Sequence, residues 1–154
     1  MQLVIRQAMM KDLPNILRIE SECFSDPWDS SPFLLLARNN GKLMDRDGEV
    51  RMIVGELHSK VIGYAIWEFD IKKKKGHILN LAIQEGDRRK GYASLLIHHI
   101  LNSLRRANSK SCILEVRESN LAAQALYTKL GMKSIGRQVN YYGNEDGIIF
   151  EAKL

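Results

Sequence analysis

A short charged stretch ahead of a long helical pattern has the composition of an anion-binding site. The sequence DRRKGYAS, Asp87 to Ser94, places three cations directly before Gly91 and a small residue, Ala93, two positions later. The first N–H groups of a helix have no backbone partner, and the helix dipole makes its start electropositive. Because glycine has no side chain, an anion can approach the backbone closely. We predict that Arg88-x-x-Gly91-x-Ala93 holds a phosphate-bearing ligand; a solvated helix start is the alternative.

The spacing of this stretch excludes the two most familiar phosphate loops. The sequence contains neither GxxxxGK[ST] nor GxGxxG at the start of a βαβ unit. A nucleotide held by either of those loops is therefore not expected.

Glu115 is a carboxylate in the middle of a strand pattern that runs from Ser111 to Arg117. Its neighbours Leu114 and Val116 face one side of the strand, so Glu115 faces the other. In a sheet that is covered by helices, a carboxylate is costly unless it is paired. The residue pattern by itself suggests an ion pair with an adjacent strand.

Asn120 and Tyr127 are seven residues apart on one predicted helix, which places them on the same face, two turns apart. Asn120 is also a typical N-cap residue, and Tyr127 also fits an ordinary core position. The adjacent His98 and His99 diverge by about 100° on a helix, so they are predicted on the surface without a shared metal ion.

The hydrophobic pattern gives the element order β-α-α-β-β-β-α-β-α-β-β. In the helix after Gly91 it predicts an apolar stripe on one face, made of Ala93, Leu96, Ile97, Ile100, Leu101 and Leu104. A mostly antiparallel sheet with helices packed on it accounts for this order. Ser31 is predicted as the N-cap and Pro32 as the first residue of the second helix, and Gly131 is predicted to end the last one. The expected strands cover residues 3–6, 49–57, 61–71, 77–83, 111–117, 133–140 and 147–153, and the expected helices cover residues from 11 onward, 31–38, from 92 onward and 120–130.

Length and composition are those of one globular domain, residues 1–154, with a single core. No run of about 18 apolar residues and no signal-peptide pattern is present, so neither membrane insertion nor secretion is expected. Cys23 and Cys112 lie far apart and are predicted as reduced, buried thiols in a cytoplasmic protein. The net charge of +5 favours anionic partners, although the run Lys72 to Lys75 fits a solvated turn.

Four blocks of sequence, together with Arg88-x-x-Gly91-x-Ala93, resemble the GNAT acetyltransferases over essentially the whole chain. Within that superfamily the chain is similar to the RimI group, the ribosomal-protein alanine N-acetyltransferases and related archaeal N-terminal acetyltransferases. The resemblance implies an α+β GNAT fold, with a mostly antiparallel seven-stranded sheet and about four helices, and acetyl-CoA as the cofactor. The four blocks are NLAI (80–83), LEVRESN (114–120), LYTKLGM (126–132) and NYYGNEDGIIF (140–150).

The resemblance also implies roles for individual residues. Glu115 is the general base and Tyr127 the general acid that protonates the leaving thiolate. The backbone of one splayed strand contacts the acetyl group, with the Ile83 amide as a candidate oxyanion donor. The implied cofactor-binding residues are Leu81, Ala82, Ile83, Arg88, Arg89, Lys90, Gly91, Tyr92, Ala93, Ser94, Asn120 and Tyr127, and the implied substrate-binding residues are Trp28, Tyr141 and Tyr142.

The chain departs from the RimI pattern at two places. It has Gly91-Tyr92-Ala93 where the group usually has Gly-x-Gly, which the cofactor motif permits. It has Gly147 where the group usually has alanine, and this glycine is expected to loosen the start of the last strand.

The expected acceptor is the α-amine of a protein N-terminus, and a ribosomal protein is one candidate. An α-amine has a pKa of about 7.7–8.0 and costs about 1 kcal/mol to deprotonate at neutral pH, whereas a lysine amine, at about 10.4, costs about 4.6 kcal/mol. A lone glutamate base is therefore better matched to an α-amine than to a lysine amine. Two alternatives remain: a GNAT that acetylates a small amine or a lysine side chain, and a basic RNA- or ribosome-binding module. No metal, membrane or direct nucleic-acid partner is expected.

Overall fold

The computed structural model describes residues 2–154, in which eight strands and four α-helices alternate. Two 3-10 turns, Met10–Asp12 and Glu85–Asp87, precede α1 and α3. The strands are Val4–Gln7 (β1), Lys42–Met44 (β2), Gly48–Leu57 (β3), Lys60–Asp70 (β4), Lys75–Ile83 (β5), Ser111–Arg117 (β6), Lys133–Gln138 (β7) and Gly147–Lys153 (β8). The helices are Leu13–Cys23 (α1), Ser30–Arg38 (α2), Tyr92–Arg106 (α3) and Leu121–Lys129 (α4).

All strands belong to one sheet with the order β1-β3-β4-β5-β6-β8-β7, and β2 pairs with β3 beside that path. Only β5 and β6 are parallel; every other pairing is antiparallel. The predicted α+β, mostly antiparallel architecture is confirmed. The strand count of seven is wrong by one, because β2 is three residues long inside a polar, turn-rich stretch and has no hydrophobic alternation to reveal it.

The helices cover both faces of the sheet. Helices α1 and α2 pack on one face through a core that includes Ile16, Phe33 and Tyr64, and the last two rings meet edge to face at 5.8 Å. Helices α3 and α4 pack on the other face, where the predicted apolar stripe of α3 is buried. Each such side chain contributes about 1.5–3 kcal/mol when it leaves water. The buried stripe consists of Leu96, Ile97, Ile100, Leu101 and Leu104, with Ala93 half-buried at its start.

The residues at the ends of the helices test three local predictions. The N-cap of helix α2 is Asp29 rather than the predicted Ser31, so the helix begins earlier than expected. Asp29 Oδ2 accepts hydrogen bonds from the backbone N–H of Ser31 at 3.3 Å and from the Ser31 hydroxyl at 2.6 Å. Pro32 therefore lies within the first turn. Asn120 caps α4 as predicted, since its Oδ1 accepts from the Ala123 N–H at 3.1 Å. Gly131 follows α4 with φ +88°, a left-handed conformation that favours glycine.

Some surface and thiol predictions need correction. His98 is exposed, but His99 is half-buried beside Trp67, and that burial lowers its pKa. Cys112 is buried, whereas Cys23 is only half-buried, and both are free thiols. Lys75 belongs to β5 rather than to the preceding turn. Among residues 2–154, no helix is long and apolar enough to cross a membrane.

The parallel strands β5 and β6 stay together for three residues only. Residues 75–77 pair with residues 111–113, and beyond that point the two strands separate. A register shift in the same region pairs Ile66 with Asn80 and Trp67 with Ile78, which leaves Leu79 as the extra residue of a β-bulge. The sheet therefore opens at its middle, between the two strands that carry the candidate residues Leu81 and Glu115.

Candidate active site

A cavity of about 890 Å³ lies between the separated parts of β5 and β6. Both strands, the loop between α1 and α2, the start of α4 and the loop before β8 contribute to its walls. Its lining residues are Glu20, Cys23, Phe24, Ser25, Asp26, Trp28, Ile78, Leu79, Asn80, Leu81, Leu114, Glu115, Val116, Arg117, Asn120, Tyr127, Tyr141 and Tyr142.

The fold brings seven of the predicted site residues to this cleft and leaves the others outside its lining. Those that line it are Leu81, Glu115, Asn120, Tyr127, Trp28, Tyr141 and Tyr142. Ala82 and Ile83 follow Leu81 at the end of β5, and their side chains are buried rather than part of the cavity lining. The remaining predicted residues, Arg88 to Ser94, form the connection from β5 into α3.

Glu115 is held at the bottom of the opening by contacts to one of its two oxygens. His77 of β5 places its Nε2 at 2.7 Å from Glu115 Oε1, and the Tyr141 hydroxyl donates to the same oxygen at 3.4 Å. Glu115 Oε2 accepts no hydrogen bond from any residue between 2 and 154, so it is the oxygen that a substrate can reach. The partner on an adjacent strand that the sequence suggests is thus present, and the contact is an ion pair when the His77 imidazole is protonated. It leaves the second carboxylate oxygen without a hydrogen bond from residues 2–154.

The Tyr127 side chain has a packed ring and a hydroxyl without a hydrogen-bond partner among residues 2–154. Its ring meets Phe150 edge to face at 5.7 Å, and within the described part of the chain its hydroxyl makes no hydrogen bond. Burial raises the pKa of Tyr127. The phenol therefore keeps its proton at neutral pH and can donate it to a more basic group in the cleft.

The start of α3 offers unpaired backbone donors. The first hydrogen bond of the helix runs from Leu95 N–H to Gly91 O, and no side chain caps the end, so the N–H groups of Tyr92, Ala93 and Ser94 lie free of backbone partners there. Gly91 has φ +87°, and a Cβ built on it would meet open space. These donors and this clearance fit the oxygens of a pyrophosphate.

Two of the three cations of this loop, Arg88 and Lys90, differ in what they contact. Arg88 folds back on the protein: its Nε donates to Ile83 O at 3.0 Å, and its guanidinium lies 3.0 Å from the Cys23 sulfur. Lys90 lies 3.7 Å from Asp87. Arg88 therefore fixes the loop against the ends of β5 and α1, a more specific position than the general electrostatic attraction that the sequence predicts.

The backbone of β5 presents N–H groups to the open side. Because Gln84 N–H donates to Ile62 O across to β4, the alternation of an antiparallel ladder turns the N–H groups of Ile83 and Leu81 away from β4. The Leu81 N–H is 3.1 Å from Asn80 Oδ1. The Ile83 N–H therefore points away from β4, and its role as an oxyanion donor stays a prediction.

A buried network that the sequence did not predict lies on the β5 side of the cleft. Glu20 is 2% exposed, and its Oε1 accepts from the Tyr64 hydroxyl and from Asn80 Nδ2 at 2.9 Å. Its Oε2 accepts from the Trp28 N–H at 2.8 Å. Burial, followed by the Glu20 hydrogen bond, raises the pKa of Tyr64 well above its usual range. The network ties the loop of Trp28 to the strand that carries Leu81.

The aromatic wall opposite this loop is fixed by charged contacts. The Tyr142 ring lies under the Arg117 guanidinium at 4.4 Å and meets Tyr141 edge to face at 4.9 Å. Burial raises the pKa of Tyr142 to about 12. Glu145 accepts from the Ser119 hydroxyl at 3.0 Å, which anchors the loop before β8.

The start of β8 is not loosened by Gly147. This residue is buried and pairs with β6 and β7. A Cβ at Gly147 would lie 3.1 Å from the Tyr141 Cβ, so the glycine gives the tyrosine room to pack. The departure from the usual alanine is therefore linked to the position of an aromatic wall residue.

The chain matches the Acetyltransferase (GNAT) family over residues 13–132. It is 28% identical over 162 aligned residues to an N-alpha-acetyltransferase of Sulfurisphaera tokodaii, an alignment that covers 97% of this chain and 92% of that protein. It is 31% identical over 144 aligned residues to the [ribosomal protein bS18]-alanine N-acetyltransferase of Escherichia coli K12, with 90% and 88% covered.

Two solved structures share the fold. The crystal structure of the E. coli ribosomal-protein-S18-alanine N-acetyltransferase superposes with a TM-score of 0.82 at 25% identity, covering 99% of this chain and 94% of that one. That of Arabidopsis thaliana NAA60 in complex with acetyl-CoA superposes with a TM-score of 0.83 at 19% identity, covering 99% of each chain. The opened sheet, the free amides at α3 and the family match agree, and this chain belongs to the GNAT family of acetyltransferases, enzymes whose acetyl donor is acetyl-CoA.

Proposed function

We propose that the protein acetylates the α-amine of protein N-termini, with Glu115 as general base and Tyr127 as general acid. The observation that carries this proposal is the placement of both groups on one cleft, with Glu115 Oε2 and the Tyr127 hydroxyl each free of described hydrogen-bond partners. The relatives named for N-alpha- and for ribosomal-protein alanine N-acetylation support the choice of acceptor.

The chemistry needs a neutral amine, a polarised carbonyl and a proton for the leaving sulfur. Acetyl-CoA supplies an acetyl thioester for the amine to attack. Glu115 Oε2 takes the proton of the incoming ammonium and frees the nitrogen lone pair. The Ile83 N–H stabilises the negative charge that develops on the carbonyl oxygen. The nitrogen bonds to the carbonyl carbon and the C–S bond breaks. Tyr127 gives its proton to the departing thiolate, and the second proton that the nitrogen loses restores the Tyr127 hydroxyl.

The ends of the donor and the acceptor enter from opposite sides in this proposal. The amides of residues 92–94 hold the pyrophosphate, and Asn120 and β5 line the way to the acetyl group. The peptide lies between Trp28 on the α1–α2 loop and the pair Tyr141 and Tyr142. The tyrosine wall stands close to Glu115, since the Tyr141 hydroxyl lies 3.4 Å from its Oε1, and this crowding beside the base favours a chain terminus over a lysine side chain in mid-chain.

The proposal is tested with two peptides of one sequence. The first begins with a free alanine and has its lysines acetylated; the second has a blocked α-amine and one free lysine. We expect acetyl-CoA turnover with the first peptide only. Turnover with the lysine peptide alone would overturn the assignment of the acceptor.

The Glu115→Gln variant tests the base. It keeps the size of the side chain but cannot take the proton, so we expect kcat with the alanine peptide to fall by about 10²–10⁴ while affinity for acetyl-CoA stays unchanged. The rate should partly recover as the pH rises, because the amine then deprotonates in solution. Glu118→Gln is the matched control, since its carboxylate contacts the exposed Arg137 outside the cleft. Wild-type rates for Glu115→Gln across the pH range would show that Glu115 is structural.

A further inference from the structure

We propose that His77 is a positioning residue for Glu115, and that the charge of its imidazole sets how strongly Glu115 accepts the proton of the substrate. The inference rests on the proposed function, in which Glu115 is the base. His77 lies outside the motifs discussed from the sequence and does not line the cleft; it would act on the reaction through Glu115 alone.

The position of His77 in the sheet explains why it can orient Glu115. It is the last residue of β5 that pairs with β6, opposite Ile113, and the bulge at Leu79 and the separation of the strands follow directly. Its ring therefore lies at the closed end of the cleft. There its Nε2 meets Glu115 Oε1 at 2.7 Å, the length of a charge-assisted hydrogen bond.

This contact selects the reactive oxygen of the carboxylate. With Oε1 engaged by His77 and by the Tyr141 hydroxyl, Oε2 is the oxygen left for the substrate. An imidazole that donates its Nε2–H to Oε1 keeps the carboxylate in one rotamer. The preorganised base then needs no rearrangement when the amine arrives.

The second nitrogen of the ring can change the charge of the pair. Nδ1 faces Glu68 of β4 at 3.6 Å, and 47% of the Glu68 side chain is exposed, so a solvent proton can reach this side of the ring. The titratable groups that face the imidazole are Glu68 from β4, Glu115 from β6 and, through Glu115, Tyr141 from the loop before β8. Hydrogen bonding to Glu115 raises the pKa of His77 against the effect of burial.

The two charge states of His77 have different consequences for the proton transfer. In both, the Nε2–H stays on the ring and donates to Oε1, and the transferred proton moves from the substrate nitrogen to Oε2. When Nδ1 is also protonated, the cation next to Glu115 stabilises the carboxylate and makes it a poorer proton acceptor. When Nδ1 carries no proton, the neutral imidazole orients the carboxylate without offsetting its negative charge. Glu115 is thus the strongest proton acceptor at pH values above the pKa of His77.

Two substitutions separate orientation from charge. His77→Gln keeps an N–H donor near the position of Nε2 but does not titrate, and His77→Ala removes the donor. We expect His77→Gln to keep kcat/KM within about threefold of wild type at high pH and to lose less activity than wild type as the pH falls through the pKa of His77. We expect His77→Ala to lose about tenfold or more at every pH, since an unoriented base is less effective. His98→Gln, on an exposed face of α3, is the control and should keep the wild-type profile.

A second measurement does not depend on turnover. The chain has four histidines, so the His77 ring signal in an NMR titration is assigned by its loss in His77→Gln. We expect its pKa to fall in Glu115→Gln. An unchanged ring pKa there, or wild-type rate profiles for both His77 variants, would overturn this inference. If Glu115→Gln itself turns over at the wild-type rate, the proposed function fails instead, so the two failures are distinguishable.

Discussion

At the residue scale, the proposed reaction depends on two groups kept in opposite proton states. Tyr127 is enclosed on the α3–α4 side of the sheet, where burial favours its neutral form. Glu115 is on the opposite face of β6 from Leu114 and Val116, where His77 Nε2 lies within hydrogen-bond distance of its carboxylate. The alternation of one strand and the packing of one helix thus place an acid and a base on the same opening.

Tyr127→Phe separates the packing of this residue from its chemistry. The ring and its contact with Phe150 remain, and the hydroxyl has no hydrogen bond within residues 2–154, so we expect the melting temperature to change little. The thiolate then has no positioned proton donor, so kcat should fall by about 10²–10⁴ with unchanged affinity for acetyl-CoA. Calorimetric binding and a peptide turnover assay on one preparation check both parts. A variant with full kcat would remove Tyr127 from the mechanism.

At the element scale, the cleft exists because β5 and β6 pair for only three residues before they separate. The end of β5 leads through a short loop into α3, so the strand that we propose to contact the acetyl group and the helix start that we propose to bind the phosphates are continuous in sequence. Arg88 fixes this connection by binding Ile83 O. The position of the loop is therefore set by the strand that it follows.

Gly91→Asp tests the helix start, with Gly91→Ala as the matched control. Both variants place a side chain at φ +87°, where aspartate is tolerated at least as well as alanine, and neither side chain meets a neighbour within 4 Å at its Cβ. Only aspartate adds a negative charge in front of the free amides. Two like charges about 4 Å apart near a protein surface repel by a few kcal/mol, so we expect CoA affinity at least about tenfold below that of Gly91→Ala. Equal affinities for the two variants would contradict phosphate binding at this loop.

The sequence predicts those elements whose formation depends on local residue patterns, and it misses those that depend on contacts distant in sequence. The apolar stripe of α3 and the N-cap at Asn120 are local patterns, and both are found as predicted. The strand β2 has only three residues, and its formation depends on pairing with β3, which no local pattern encodes. The N-cap of α2 was misplaced because Asp29 and Ser31 are both good caps, and only the backbone geometry decides between them.

The same distinction applies to the candidate site. Glu115 and Tyr127 stand in recognisable blocks, but His77 and Glu20 act through partners that are distant in sequence. His77 is 38 residues from Glu115, and Glu20 is 44 residues from Tyr64. Glu20 lies four residues after the buried Ile16, on the apolar face of α1, and a carboxylate at such a position was a signal that could have been followed.

At the scale of the whole molecule, the opening divides the sheet into two parts. Strands β1 to β5 form one part with α1 and α2, and strands β6 to β8 form the other with α4 beside it. The parts are joined by the three-residue parallel pairing and by α3, which packs on the core between them. A ligand that fills the gap between β5 and β6 contacts both parts at once, and we expect it to stabilise the folded protein as a unit.

CoA should therefore raise the melting temperature. A ligand at a hundred times its dissociation constant stabilises the folded state by about 2.7 kcal/mol if it does not bind the unfolded chain. For a chain of 154 residues this corresponds to a rise of about 5–10 °C. The shift should grow with the logarithm of the CoA concentration and should be much smaller in Gly91→Asp than in Gly91→Ala at the same concentration. Thermal unfolding followed by circular dichroism measures it for all three proteins. A rise of equal size in Gly91→Asp would mean that CoA binds without the α3 start, and the placement of the pyrophosphate would have to be abandoned.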